Sequence, residues 1–114
     1  MVDYSHFDDI FHALSDSTRR AILGQLMEGP ARVTEIAAPY SMSLNAVSKH
    51  LRILERAGLV RRDVRGREHW IRFKKGPLQD ARNWTHSMLE FWDRRLDRLE
   101  QALTEDEVTG NDRP

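Results

Sequence analysis

Cysteine is absent from the 114 residues, which excludes disulfides, thiolate metal sites and thiol redox chemistry together. Glycine is sparse: Gly24, Gly29, Gly58, Gly66, Gly76 and Gly110 are scattered, and none builds a phosphate-cradling loop. No apolar run approaches the roughly eighteen residues of a membrane span. The opening residues Met1-Val2-Asp3-Tyr4 lack a basic stretch followed by an apolar one. The expected location is therefore the cytoplasm, with no membrane partner. No internal repeat is visible. A nucleophile–base pair is missing too, since Ser48 and His50, two apart on a helix, would diverge by about 200°. The acidic residues of the C-terminal third sit among Arg82, Arg94, Arg95 and Arg98, a pattern of surface ion pairs. No enzymatic activity is expected.

Net charge is also missing, with 18 basic residues against 18 acidic. That neutrality is only an average. Residues 1–30 hold two Lys/Arg and five Asp/Glu, residues 31–75 hold eleven and four, and residues 76–114 hold five and nine. A basic middle third between acidic flanks is the footprint of a polyanion partner.

With 39% hydrophobic and 32% charged residues, the chain reads as one small folded domain. Phe7, Ile10, Phe11 and Leu14 recur at helical spacing behind Ser5 or Asp3 as a cap. Ser15-Asp16 opens a second helix with Ala21, Ile22, Leu23, Leu26 and Met27 inward, stopped by Gly29-Pro30. Thr34 is the expected cap of a short third helix with Ile36 and Ala37, which Pro39 ends near Ala38. Tyr40-Ser41-Met42 makes a tight turn. Ser43 then caps a fourth helix running to about Ala57 and closing on Gly58. Two strands, 59–64 and 68–73, flank the turn Arg65-Gly66-Arg67. A last helix runs from Leu78 to about Thr104, with Leu89, Trp92, Leu96, Leu99 and Leu103 as a coiled-coil-like seam and Trp84, Met88 and Phe91 beside it. The fold class is mostly α with a small β-hairpin wing, a winged helix-turn-helix in the order α-α-α-α-β-β-α. Residues 1–105 are expected to form one domain that binds double-stranded DNA and dimerises, and 106–114 an acidic, flexible tail.

At about 100° per residue, the fourth helix divides cleanly. Ala46, Val47, His50, Leu51, Ile53, Leu54 and Ala57 fall on one half; Asn45, Ser48, Lys49, Arg52, Glu55 and Arg56 lie in a narrower arc opposite. The inner half would pack and the outer arc would enter a groove. Asn can bond adenine, Lys and Arg can reach guanine, and Ser can bond bases or phosphate. Any surface helix has a polar arc, but this one stands between a helix-turn-helix and a hairpin carrying Arg61, Arg62, Arg65, Arg67 and Arg72, with Arg56 at its root.

Three blocks carry a resemblance: Leu14-Ser15-Asp16-Ser17-Thr18-Arg19-Arg20-Ala21-Ile22-Leu23, then Ser43-Leu44-Asn45-Ala46-Val47-Ser48-Lys49-His50-Leu51, then Leu54-Glu55-Arg56-Ala57-Gly58-Leu59-Val60. Together they resemble the ArsR family of winged-helix repressors, over residues 5 to about 103. The resemblance implies a homodimer built on the first and last helices, a recognition helix in the major groove and a wing on adjacent backbone or minor groove. It carries base reading onto Asn45, Ser48 and Lys49, with Ser43 and Leu44 near the groove. His50 is a position the family often uses; on the wheel it faces inward, as a packing or phosphate residue. Arg52 completes the expected recognition-helix contacts, and Arg62, Arg65, Gly66 and Arg67 the wing contacts. Expected interface residues are Phe7, Phe11, Trp84, Met88, Leu89, Trp92, Leu96, Leu99 and Leu103. Asn45 stands where the cysteine-free branch of this family frequently has proline.

Many members of the family sense metals, but this chain offers its last helix only His86, with Glu90 one turn on and Asp93 beyond. Two ligands do not make a site. His6 and His12 point in nearly opposite directions. No metal and no cofactor is expected. Trp84, Met88, Phe91 and Trp92 fit a dimer interface; an apolar pocket for an unidentified small-molecule effector is the other reading. The rival overall is a ligand-sensing or protein-interaction module that uses the aromatic last helix and binds DNA weakly.

Overall fold

In the computed structural model, residues 5–111 are described, with side chains from 6 to 105. The spacing of Phe7, Ile10, Phe11 and Leu14 forms α1, Ser5–Leu14, so that Ser5 is its first helical residue rather than its cap; the other expected cap, Asp3, lies outside the described residues. Asp16 then caps α2, Ser17–Met27, accepting from the Arg19 N–H. Ile22, Leu23 and Leu26 face inward as expected, but Ala21 and Met27 are exposed. A helix can bury only one stripe against its neighbours, and these two flank it.

The next turn departs from the sequence-based order. Ala31–Arg32 is a short strand, β1, and α3, Val33–Ala37, begins directly after it. Arg32, not Thr34, is therefore the cap residue of α3, and the Glu35 carboxylate accepts from its backbone N–H at 3.3 Å. Pro39 ends this helix where expected, with Ala38 as the last cap.

Ser43 caps α4, Leu44–Arg56, its Oγ accepting from the Ala46 N–H at 3.1 Å. Gly58, at φ 72°, closes the helix in the left-handed region. Leu59 N–H donates to Leu54 O at 3.0 Å and Gly58 N–H to Glu55 O at 2.9 Å, the paired bonds of a Schellman stop. That stop turns the chain straight into β2, Val60–Arg65, which pairs antiparallel with β3, Glu68–Phe73. Arg65 faces Glu68 in register, so the turn is the two residues Gly66-Arg67 rather than three. Gly66 has φ 63° and Arg67 is not in the left-handed region, the arrangement of a II′ hairpin turn.

β1 pairs with β3, placing Ala31 opposite Ile71 and Arg32 opposite Trp70. The sheet is thus three-stranded in the order β1-β3-β2, and the element order is α1-α2-β1-α3-α4-β2-β3-α5. The core draws Ile10 from α1, Ile22 from α2, Ile36 from α3, Val47, Leu51 and Leu54 from α4, Leu59 from the helix stop and Ile71 from β3, all fully buried. Each contributes roughly 1.5–3 kcal/mol relative to exposure.

The last helix, α5, runs Gly76–Asn111, longer at both ends than the Leu78–Thr104 expected. Pro77 is accommodated in its first turn, where no intrahelical N–H is required. Of the expected acidic tail, residues 112–114 lie outside the described residues. The chain divides into two units, one ending at Ala81 and one beginning at Arg82; the second consists of the rest of α5. Among the described residues no helix is long and apolar enough to cross a membrane.

Candidate nucleic-acid interface

On α4 the two faces separate as the wheel requires. Val47, Leu51, Leu54 and Ala57 are buried, and Ala46, His50 and Ile53 are half-buried. Opposite them Asn45, Lys49, Arg52 and Arg56 are exposed, with Ser48 half-buried at the edge. Lys49, Arg52 and Arg56 have no ion-pair partner among the described residues, so their charge is available to an outside anion. Leu44, in the first turn, is 53% exposed.

The hairpin sets its tip beside this helix. Arg65 and Arg67 are exposed on either side of Gly66. Arg67 has no partner among the described residues, whereas the Arg65 guanidinium lies 5.3 Å from the centre of the Trp70 ring. Arg32, from β1, lies 5.7 Å from the same ring, so Trp70 carries two cations. Its Nε1–H donates to Glu68 Oε2 at 3.0 Å. Arg32 also pairs with Glu35 at 2.6 Å and with Glu68 at 3.4 Å. The Arg32 hydrogen bond holds the Glu35 carboxyl below its usual range, and Glu35 in turn raises Arg32.

Arg62 sits differently from the other wing arginines. It is half-buried and donates through Nη2 and Nε to Glu55 Oε1 at 2.7 and 3.3 Å, while Nη1 meets His69 Nδ1 at 3.0 Å. The pair ties the last turn of α4 to β2. Leu44 and Ser48 of α4, with Arg62 and Arg67 of the hairpin, line one cleft of about 360 Å³. Arg32, Val33, Thr34, Glu68 and His69 complete its walls. Four of the expected contact residues are thereby brought to one place. Asn45, Lys49 and Arg52 lie outside that cleft, on the open face of α4.

Sequence reasoning missed one residue behind the helix. Arg19 is 6% exposed and is the buried charged residue of the described core. Its Nε donates to Ala13 O at 2.8 Å and its Nη2 to His12 O at 2.9 Å, while Nη1 meets His50 Nδ1 at 3.1 Å. Asp16 Oδ2 accepts from the Arg19 backbone N–H at 3.0 Å. That bond is the main reason the Asp16 carboxyl sits below its usual value, with partial burial opposing it and the Arg19 charge adding to it. His50 is therefore turned into the fold, in line with its place on the wheel.

The residues expected at an interface are mostly exposed: Phe11 on α1, and Trp84, Met88, Leu89, Phe91, Trp92, Leu96, Leu99 and Leu103 on α5. Phe7 is half-buried and stacks on Phe11 with ring centres 6.3 Å apart. His86 Nε2 lies 2.8 Å from Glu90 Oε1, both exposed. Among the described residues no three His, Asp or Glu side chains are grouped to hold a metal ion.

Comparison with known proteins points the same way. Residues 14–63 match a family described as a helix-turn-helix domain. The transcriptional repressor SdpR of Bacillus subtilis is 34% identical over 84 residues, which cover 74% of this chain and 90% of that protein. A crystal structure of an ArsR family transcriptional regulator superposes with a TM-score of 0.77 at 38% identity, covering 82% of this chain and 97% of that one. A solution structure of a homodimeric winged helix-turn-helix DNA-binding domain from Mycobacterium bovis is similar at a TM-score of 0.59 and 26% identity, covering 74% and 76%.

Proposed function

This chain belongs to the ArsR family of winged helix-turn-helix transcriptional regulators, DNA-binding proteins, and from that premise we propose that it is a homodimeric repressor reading a palindromic operator. The observation that carries the reading is the division of α4. One face is buried in the core, and the other presents Asn45, Lys49, Arg52 and Arg56 without internal partners among the described residues.

In this reading Asn45, Ser48 and Lys49 bond base edges in the major groove. Ser43 and Leu44 approach the groove at the helix start, and Arg52 meets phosphate. Arg65, Gly66 and Arg67 carry the wing onto the adjacent backbone, while Arg62 braces the wing against α4. The apolar stripe of α5, too extensive for a lone protomer's surface, pairs with its copy. Trp84, Met88, Leu89, Trp92, Leu96, Leu99 and Leu103 contribute, with Phe7 and Phe11 from α1. Two recognition helices related by a two-fold axis then meet half-sites about one helical turn apart.

The test is fluorescence anisotropy of the full chain against the duplex upstream of its own gene and a scrambled duplex, across a salt series. Tight binding to the first alone with a steep negative salt slope supports the repressor reading. Equal, weak binding to both favours a partner-binding role for the aromatic helix.

A further inference from the structure

Burying a guanidinium is unfavourable unless its donors are all well placed, and an apolar side chain would fill the space behind α4 with less desolvation. What the charge adds is direction. Apolar contacts such as those of Ile10, Val47 and Leu51 tolerate a small roll of a helix about its axis, whereas hydrogen bonds aimed at lone pairs resist it. Arg19 places three donors on two elements: His12 O and Ala13 O at the end of α1, and His50 Nδ1 on α4.

The two carbonyls lie in the last turn of α1, whose terminal C=O groups carry partial negative charge; His12 O also accepts from the Ser15 N–H at 3.2 Å and Oγ–H at 2.6 Å. The backbone of Arg19 is itself held by Asp16, the cap of α2. Three helices therefore meet at one side chain. We propose that Arg19 is a positioning residue for DNA reading, setting the roll of α4 by tying His50 to the C-terminus of α1.

The bond also fixes the imidazole. A guanidinium nitrogen donates and never accepts, so this bond requires Nδ1 of His50 to accept and assigns the ring proton to Nε2. Asp16 Oδ2, at 3.9 Å from the same Nδ1, is too far to compete for it. A roll error of α4 would move Asn45, Ser48 and Lys49 relative to base edges while leaving charge near the phosphates. Loss of the tie therefore lowers binding to a preferred sequence more than binding to DNA in general.

The inference rests on the reading of α4 as the base-contacting helix, and the test separates the two. A duplex is first selected from a randomised pool by the wild-type protein. Affinities for that duplex and for a scrambled one are then compared for Arg19→Lys, His50→Leu and His50→Asn, each checked for folding by circular dichroism. Arg19→Lys keeps the charge and loses the fork; His50→Asn keeps an acceptor near the position of Nδ1. Arg19→Lys and His50→Leu are expected to reduce the preference for the selected duplex about tenfold with scrambled binding little changed, and His50→Asn to restore most of it.

In mildly alkaline buffer, long-range proton–nitrogen spectra of the wild type should place the His50 proton on Nε2. A proton on Nδ1, or an unchanged preference in Arg19→Lys and His50→Leu, would overturn the proposal. An equal loss on both duplexes would reduce Arg19 to a stabilising residue and overturn it as well. If no duplex is enriched from the pool, the reading of α4 itself fails, and this inference with it.

Discussion

Arg62 Nη2 donates to Glu55 Oε1 at 2.7 Å, so the last turn of the helix that faces outward is tied to the first strand of the wing. Both side chains are about a quarter to a third exposed. The pair spans the helix stop at Gly58. Removing either partner should cost about 1 kcal/mol of stability, since a part-exposed pair is screened by water. Arg62→Ala and Glu55→Gln should both lower the urea midpoint, and the double variant should lose less than the sum. Full additivity would mean that the bond contributes nothing.

Base reading and backbone contact should separate by mutation. Lys49→Ala or Asn45→Ala is expected to cost on the order of 1–3 kcal/mol on a preferred duplex and to relax one base position. Arg65→Ala or Arg67→Ala should weaken all duplexes alike and reduce the salt slope by about one. If the wing variants changed sequence preference while Lys49→Ala did not, this division of labour would be wrong.

Trp70 holds the Arg65 guanidinium at 5.3 Å and that of Arg32 at 5.7 Å. Trp70→Ala removes both contacts, each worth about 0.5–1 kcal/mol at an exposed site. Trp70→Phe keeps the ring face and loses the Nε1–H donated to Glu68. Binding of nonspecific duplex should therefore fall in Trp70→Ala and largely persist in Trp70→Phe. Equal losses in the two would show that the hydrogen bond to Glu68, not the ring face, organises the wing tip.

The α5 stripe gives a prediction of assembly. Leu96→Asp or Leu99→Asp places a carboxylate in the middle of the apolar seam and should convert a dimer into monomers in sedimentation velocity. Persistence of the dimer in both variants would assign the interface to another surface.

Acid should act through Asp16 and Glu35. Both carboxyls are held below their usual range in the folded chain, by the Arg19 N–H and by Arg32 respectively. A depressed folded value means that the stabilisation is present above the unfolded carboxylate range and lost as pH falls through the folded one. Urea midpoints followed downward from neutral pH should decline through that window. Asp16→Asn, which can still cap α2 but cannot titrate, should decline less steeply; parallel curves would contradict the assignment.

Much of this arrangement was legible in the sequence because it is local. The faces of α4, the Ser43 cap, the stop at Gly58 and the glycine of the wing turn each follow from residues a few positions apart. The misses are of another kind. Ala31-Arg32 has no strand signature of its own and becomes β1 only because β3, far along the chain, offers Ile71 and Trp70 as partners. That pairing also moved the cap of α3 from Thr34 to Arg32. Arg62 looked like one more wing arginine, yet its register opposite Ile71 turns it toward α4 and Glu55. Arg19 sat in a charged run at the start of α2, where nothing nearby in sequence signals burial. Its partners are the end of the preceding helix and a histidine 31 positions later.

The most direct test of the central claim, that α4 reads bases while the wing holds backbone, is selection from a randomised duplex pool by the wild type and by Lys49→Ala. The wild type should enrich an imperfect palindrome with half-sites about one turn apart. Lys49→Ala should enrich the same spacing with one position relaxed in both halves. No enrichment by the wild type, or a motif that neither Lys49→Ala nor Asn45→Ala alters, would contradict the account.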